Sequence, residues 1–267
     1  MTLAPPARAS FERLRRAGTA LALSPFGAPR LGVKSGCNTA FVVRVVDTTE
    51  RYATIVDADG ETGSVELSLL RPALRGDAVT PWTRRACDEW IIWTHDDGGA
   101  PLARLPDRAR AWLDRRRGTL AARSDARGRR WWSLFRVDAA ARAKPRVVWA
   151  DFGRRPRALV LPAGDPTVPL NSCYVLPCET ERDAWALAAL LNSTIAAAWL
   201  NAIAEPARGG YRRYLGWTVA QLPLPSDWSR ARGVLGSARA SEDDALLAAV
   251  LEAYGLDHAA VADLLDT

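Results

Sequence analysis

The most apolar stretch of the chain runs from Ala184 to Ala204 and predicts one long helix. Apolar side chains fall on nearly every side of this helix, a pattern that indicates either a buried core helix or a membrane span. Asn192, Ser193 and Asn201 lie inside the stretch, and the sequence has no second stretch of this kind, so we interpret it as a core helix. Pro206 ends the helix because proline has no amide hydrogen to donate and clashes with the preceding turn.

Short runs of β-branched and aromatic residues dominate the region from 31 to 180, and turn residues separate them. The predicted strands span Ala40–Asp47, Tyr52–Asp57, Gly63–Ser68, Glu89–Thr94, Leu134–Val137, Arg146–Asp151, Ala158–Pro162 and Asn171–Pro177. One amphipathic, arginine-rich helix is predicted between them, over Leu102–Ala122. The predicted fold class is therefore α+β: a mixed, β-rich domain of short strands with a long buried helix and a small C-terminal helical appendage.

The two ends of the chain differ in pattern from its middle. Residues 1–30 show little beyond a short basic helix at Phe11–Arg16, and we expect them to form a linker or tail. Near the C-terminus, Ser241 is the predicted N-cap of a helix over Ala245–Tyr254, and a second short helix is predicted over Ala259–Leu265. The expected organisation is an N-terminal linker at 1–30, a main domain at 31–228 and a helical appendage at 240–267.

The net charge of the chain bears on the kind of partner it could bind. The chain has 267 residues and a net charge of +6, a moderate positive bias that permits a nucleic-acid partner without proving one. Lys34 and Lys144 are the only lysines, so almost every cation is an arginine, whose planar fork binds phosphates and guanine edges in bidentate fashion. Eleven tryptophans add aromatic surface that also suits DNA or RNA.

Arginine-rich turns recur at 127–130, 153–157 and 208–213, and we expect them to line a DNA groove if they share one face. The glycine-flanked turn at 32–36 could cradle a phosphate, although it lacks the spacing of a nucleotide-binding loop. The candidate DNA-binding residues are Lys34, Ser35, Asn38, Arg129, Arg130, Trp131, Arg154, Arg155, Arg208, Tyr211, Arg212 and Arg213.

Metal and redox chemistry receive little support from the sequence. The four cysteines are widely spaced and neither histidine has metal-ligand spacing to them, so we expect reduced thiols in a cytoplasmic protein without a metal site. The Asp96–Asp97 pair reads as an Asp-Gly turn. Two alternatives to DNA recognition stay open: a metal-dependent nuclease fragment that uses Asp96, Asp97 or Asp151, and an adaptor that binds protein.

Four short motifs occur in an order that we recognise from one family. They are Gly32–Phe41, Leu70–Gly76, Leu190–Ser193 and Leu222–Pro225, with Arg208–Tyr211 and Ala253–Leu256 also fitting. In this order they resemble the C-terminal target-recognition region of TaqI-like adenine-specific DNA methyltransferases, a group that includes type IIG restriction–modification enzymes and PglX-like enzymes of phage defence. The resemblance covers about residues 31 to 256, and it implies double-stranded DNA as a partner. We expect no membrane partner, because we interpret Ala184–Ala204 as a core helix.

The catalytic half of that family has no counterpart in this sequence. The resemblance implies an Asn/Asp-Pro-Pro-Tyr/Phe motif for the flipped adenine and a glycine-rich loop for S-adenosylmethionine, and neither is present. We therefore expect no cofactor in this chain, with S-adenosylmethionine bound by an adenine methyltransferase catalytic domain or subunit elsewhere. The expected function is a DNA sequence-recognition module that directs N6-adenine methylation by that catalytic part.

Overall fold

The computed structural model describes residues 3–240 and 242–266 and confirms the α+β fold class. The predicted N-cap Ser241 lies outside the described residues. The helices are α1 Pro5–Arg16, α2 Asn38–Phe41, α3 Asp107–Asp114, α4 Arg117–Ala122, α5 Glu181–Asn192, α6 Thr194–Ile203, α7 Gly216–Val219, α8 Trp228–Ser237, α9 Asp243–Tyr254 and α10 Ala262–Leu265. The strands are β1 Gly18–Ala20, β2 Arg30–Leu31, β3 Val42–Thr48, β4 Tyr52–Val56, β5 Thr62–Glu66, β6 Leu70–Leu74, β7 Glu89–Ile92, β8 Arg146–Ala150, β9 Phe152–Gly153, β10 Ala158–Leu161, β11 Val168–Pro169, β12 Cys173–Pro177, β13 Glu205–Pro206, β14 Arg212–Arg213 and β15 Pro223–Pro225.

A six-stranded sheet in the order β11-β6-β7-β3-β4-β5 forms the N-terminal part of the fold. Its neighbouring strands are antiparallel except for β11 and β6, which are parallel. Helix α3 packs on β5, where the ring of Trp112 lies over Gly63. A Cβ atom on Gly63 would stand 2.3 Å from that ring, so only glycine lets the buried tryptophan approach the strand.

The arginine-rich helix predicted over Leu102–Ala122 is shorter and interrupted. It begins at Asp107, directly after Pro106, and breaks between Asp114 and Arg117. The prediction of one continuous helix from Leu102 was wrong at its start because Pro106 has no amide hydrogen to donate and clashes with a preceding helical turn, so it precedes α3 as the N-cap. The carboxylate of Glu66 then accepts from the first backbone amides of α3, at 3.0 Å from both Arg108 and Ala109.

The strand predicted at Leu134–Val137 does not form. Phe135 makes only an isolated bridge to Lys34, and a 3-10 turn begins at Val137. The other predicted strands form within two residues of their predicted bounds. Boundaries of this kind shift because sequence patterns specify an element better than its terminal residues.

A four-stranded sheet in the order β10-β8-β12-β2 separates the two cores of the protein. Every residue of β8 is buried, and successive side chains point to opposite faces. Val147 and Trp149 join a core built on the C-terminal helices, whereas Val148 and Ala150 join the core of the six-stranded sheet. The sheet is therefore covered on both faces, as its continuous apolar strands require.

The long apolar stretch forms two helices rather than one. Helices α5 and α6 meet at Ser193 with a bend of 66°. Ser193 has extended backbone angles, and its hydroxyl caps α6 by accepting from the Ala196 amide at 3.1 Å. The single-helix prediction was wrong because a serine N-cap starts a new helix inside an unbroken apolar run.

Burial of the bent pair confirms the prediction of a core element. From Ala186 to Leu191 every residue is fully buried, and Trp199 is 2% exposed. The three polar residues noted in the sequence are hydrogen-bonded: Asn192 bonds to the backbone of Ala158, the Ser193 hydroxyl donates to the Leu190 carbonyl, and Asn201 accepts from the Tyr214 hydroxyl. Among the described residues no single helix is long and apolar enough to cross a membrane. Of these residues, only α5 and α6 counted together, across their bend, have that length and apolar content.

Residues near both ends of the chain belong to the helical core. Phe11 of α1 stacks on Trp199 with ring centroids 4.8 Å apart, and α1 also packs against α10. Strand β1 pairs with β15, which contains the proline-rich motif. The described part of segment 1–30 is thus a packed element rather than the expected linker, and the described residues of 240–267 complete the same core rather than a separate appendage. Helix α1 carries few apolar residues, so its sequence showed little sign of this packing, yet its Leu14 is fully buried.

Candidate nucleic-acid interface

A three-stranded antiparallel ribbon, β13-β14-β9, brings two of the arginine-rich turns together. Strand β9 leads into the turn at 153–157, whereas β13 and β14 form a hairpin around the loop at 208–211. Gly209 and Gly210 at the hairpin tip have φ angles of 71° and 76°, which L-residues with side chains rarely adopt. The two glycines therefore permit the turn at the hairpin tip.

Strand alternation sorts the residues of the ribbon onto two faces. Arg213 pairs in register with Phe152, so both point to the same face, whereas Arg212 pairs with Gly153 and points to the other. Tyr211, two residues before Arg213, stacks on Phe152 with ring centroids 4.8 Å apart and planes 12° from parallel. The Arg154 guanidinium lies over the Tyr211 ring at 5.5 Å. We call Phe152, Arg154, Tyr211 and Arg213 the aromatic–arginine face.

Tyr214 anchors the ribbon to the helical core. Its side chain is fully buried, and its hydroxyl donates to Asn201 Oδ1 at 2.6 Å. Its carbonyl accepts from the Trp149 indole at 2.9 Å, and its amide donates to the Asp151 carbonyl. Burial raises the pKa of the Tyr214 hydroxyl well above its ordinary value, so this donor stays protonated. The ribbon is thus held at a fixed position on β8 and α6.

Most of the cations on the ribbon are available to a ligand. Within the described residues no carboxylate lies within 4 Å of the guanidinium groups of Arg154, Arg208 and Arg213. Arg155 differs, since it pairs with Asp243 at the start of α9 at 3.3 Å. Glu205 lies opposite Arg213 in register and is exposed, so it weakens the positive potential of the aromatic–arginine face.

A cleft of about 500 Å³ opens between the ribbon and the turn that follows β6. Phe152 and Tyr211 of the ribbon line it, and its other lining residues include Arg75, Asp77, Arg85, Asp151, Arg157 and Ser172. The amide of Gly76 donates to the Ser172 hydroxyl at 2.9 Å and joins the two loops behind the cleft. Burial raises the pKa of the Asp151 carboxyl, and the positive charge of Arg213 opposes that rise.

The candidates near the 32–36 turn are engaged by the fold. Lys34 pairs with Asp125 at 2.5 Å, and the Ser35 hydroxyl donates to Asn38 Oδ1 at 2.6 Å. The Arg123 guanidinium donates to the Ser35 carbonyl and, at 2.6 Å, to the Trp131 carbonyl. These contacts connect the turn at 32–36 to the residues on either side of the arginine-rich turn at 127–130 and stabilise both turns.

The arginine-rich turn at 127–130 and the tryptophans after it are partly engaged. Arg130 donates to the Ala103 carbonyl at 2.8 Å and lies over the Trp132 ring. The Arg117 guanidinium lies over the ring of Trp131, whereas Arg129 is exposed. None of the contacts described for this group joins it to the ribbon, so the structure brings together the turns at 153–157 and 208–213 and leaves the turn at 127–130 with 32–36.

The aspartates considered for hydrolytic chemistry have other neighbours. Asp97 pairs with Arg71 at 3.2 Å and with Arg142 at 2.8 Å, while Asp96 accepts from the Ala100 amide within its turn. Asp151 lies in the cleft. The described residues hold no group of three or more histidine, cysteine or acidic side chains arranged to bind a metal ion.

Sequence reasoning missed Phe152 and the far side of the cleft. Phe152 is 40% exposed and precedes the turn at 153–157, just as Trp131 and Trp132 follow the turn at 127–130. An aromatic residue flanking an arginine-rich turn was therefore the available signal. Arg75 and Arg85 had no such signal, because only tertiary structure brings them to the ribbon. Arg157 lies in the predicted turn at 153–157, but it was not among the candidate residues.

Comparison with known proteins identifies the fold. No protein-family model and no curated protein matches the chain. Among solved structures, the chain has the fold of part of a type IIL restriction–modification enzyme. That enzyme is MmeI, whose structure was determined in complex with DNA; the TM-score is 0.50, the sequence identity is 13%, and the match covers 91% of this chain and 33% of that one. The chain spans about a third of the length of the enzyme it matches, and the likeness concerns the fold alone.

Proposed function

We propose that this chain is a DNA-recognition module of a restriction–modification system and that it binds duplex DNA through the ribbon. The observation that carries the proposal is the joining of two arginine-rich turns and two exposed aromatic rings on one fixed face. The shared fold with a restriction–modification enzyme solved in complex with DNA supports it. A net charge of +6 favours the same partner.

The hairpin β13–β14 has a shape that suits the major groove. That groove is about 12 Å wide and admits a two-stranded ribbon. Arg208 stands at the glycine tip and Arg213 on the aromatic–arginine face, so the tip would enter the groove while the face lies along the backbone. Arginine at either place can contact a phosphate or the edge of a guanine, and base contacts specify the sequence whereas phosphate contacts set the register.

The finer assignment is that this module directs N6-adenine methylation by a catalytic part outside the chain. The motif order from Gly32 to Leu256 supports it, because it resembles the target-recognition region of adenine methyltransferases. The chain alone is then expected to bind DNA but not S-adenosylmethionine. Cofactor binding by the purified chain, measured by calorimetry, would contradict this division of labour.

The test of DNA binding is a salt series with a matched control. Dissociation constants for a pool of random-sequence duplexes are measured by fluorescence anisotropy from about 50 to 200 mM salt, where phosphate contacts dominate. Each lost phosphate contact should reduce the slope of log K against log salt by about one, so the Arg208→Ala/Arg213→Ala variant should lose about two. Arg13→Ala/Arg16→Ala on α1 removes the same charge far from the ribbon in sequence and should leave the slope nearly unchanged.

Each outcome separates the proposal from its alternatives. Equal slopes for both double variants, with unchanged melting temperatures, would place any DNA contact away from the ribbon. Absence of salt-dependent binding to every duplex would instead favour an adaptor that binds protein. Selection of bound duplexes from the random pool then gives the recognised sequence.

A further inference from the structure

The cleft beside the ribbon has the chemistry of a nucleotide site. Phe152 and Tyr211 supply a stacked aromatic pair, and Arg85 and Arg157 supply cations. Asp77 and Asp151 supply carboxylates that can accept hydrogen bonds from base N–H groups. A cleft of about 500 Å³ lies within the range of volumes in which proteins bind small organic ligands.

The aromatic pair is open at its Phe152 end. Tyr211 has Phe152 and Arg154 as neighbours, whereas the described residues give Phe152 no ring or cation contact other than Tyr211. Phe152 is 40% exposed and lines the cleft, so its ring can be reached from the cleft. A planar base stacked on this face would extend the existing stack, as aromatic residues do for unstacked bases in proteins that bind single strands.

Two arginines of the cleft, Arg85 and Arg157, are available to bind the phosphate of a nucleotide. No described carboxylate lies within 4 Å of the guanidinium groups of Arg85 and Arg157. Arg75, by contrast, is already paired with Glu89 at 2.5 Å and serves to hold the cleft wall. A phosphate attached to the stacked base would therefore find two arginines free to bind it.

We infer that this cleft binds one nucleotide of DNA held outside a base stack, with its base on Phe152 and its phosphate at Arg85 and Arg157. The inference rests on the proposed DNA-binding function, because a bound duplex would present such a nucleotide at a bulge, a mismatch or an extruded base. It adds a second kind of contact, since duplex backbone binding by the aromatic–arginine face needs no unstacked base.

The experiment compares two short ligands on the full chain. One is a fluorescein-labelled oligodeoxyadenylate of about five nucleotides, and the other is an oligomer of equal length and charge built from abasic units. Base stacking should make the first bind about 5- to 150-fold more tightly than the second. Phe152→Ala should remove this preference, and Arg85→Ala/Arg157→Ala should weaken both ligands while leaving their ratio unchanged.

Two variants keep the result interpretable. Trp217→Ala removes an aromatic side chain that is 53% exposed and lies outside the cleft, so the preference for bases should persist. Phe152→Leu retains an apolar side chain without an aromatic face and should lose the preference while keeping the melting temperature. Equal binding of both oligomers by the wild type, or an intact preference in Phe152→Leu, overturns the inference.

Duplex binding by the same variants separates this inference from the proposed function. If duplexes bind but base-carrying and abasic oligomers bind alike, the cleft inference fails and the DNA-recognition proposal stands. If no duplex binds but Phe152 still sets a preference for bases, the cleft inference holds and the recognition of duplex DNA fails.

Discussion

Asn192 is the residue through which the helical core fixes the start of β10, and its loss should weaken the whole fold. It ends α5 and is 6% exposed. Its Oδ1 accepts from the Ala158 amide at 2.8 Å, and its Nδ2 donates to the Ala158 carbonyl at 3.0 Å. Ala158 directly follows the arginine-rich turn at 153–157, so these bonds also hold the base of that turn.

The structure sets the size of the effect of Asn192→Ala. Two hydrogen bonds disappear, each with a net value of about 1 kcal/mol. The Ala158 carbonyl keeps the amide of Trp82 as a donor at 2.9 Å, but the buried Ala158 amide loses its side-chain acceptor, which costs about 1–3 kcal/mol when it stays unpaired. With partial relaxation, the expected loss is about 2–4 kcal/mol of unfolding free energy.

Urea unfolding followed by circular dichroism measures this loss. Asn171→Ala is the matched control, because Asn171 is exposed and the same atoms are removed. The control should change the unfolding free energy by less than about 0.5 kcal/mol. If Asn192→Ala is no more destabilising than Asn171→Ala, the two bonds to Ala158 do not hold β10 to the helical core, and the reasoning is refuted.

Two further predictions concern charge. Glu205→Gln removes the carboxylate opposite Arg213 and should tighten duplex binding by about 1.5- to 5-fold, the range of an exposed charge pair, with a loss of affinity as the contrary result. Burial lowers the pKa of His95 from 6.5 to about 4, so the unfolded chain binds a proton at a higher pH than the fold does. Wild-type stability should therefore fall more steeply than that of His95→Gln between pH 6.5 and pH 4, and parallel melting curves would contradict this.

The hydrophobic pattern was enough to predict the local elements and the fold class. Alternation in β4 and the continuous apolar runs of β8 and β10 specify their burial, and each of those strands forms at its predicted start. The pattern failed where one polar residue redirects the chain. Ser193 looked like a tolerated interruption of an apolar helix, yet its hydroxyl caps a new one.

The candidate site was only partly predictable. The turns at 153–157 and 208–213 were found from composition, but their union depends on the pairing of β9 with β14 across almost 60 residues of chain. Arg212 and Arg213 are adjacent in sequence, but because they lie in a strand their side chains point to opposite faces of the ribbon. Lys34 and Asn38 were selected for a glycine-flanked turn, and their partners Asp125 and Ser35 show that the same residue types can serve the fold itself.

The pairing of β1 with β15 determines which residues have to stay together if this fold is transferred to another protein. Gly18 faces the backbone of Leu224 so closely that a Cβ atom would lie 2.2 Å from the Leu224 carbonyl oxygen. A chimaera joined at residue 31 would leave β15 an unpaired edge and expose Trp199 where Phe11 had covered it. A transferable unit therefore has to include α1 and β1, although neither contributes a residue to the ribbon or to the cleft beside it.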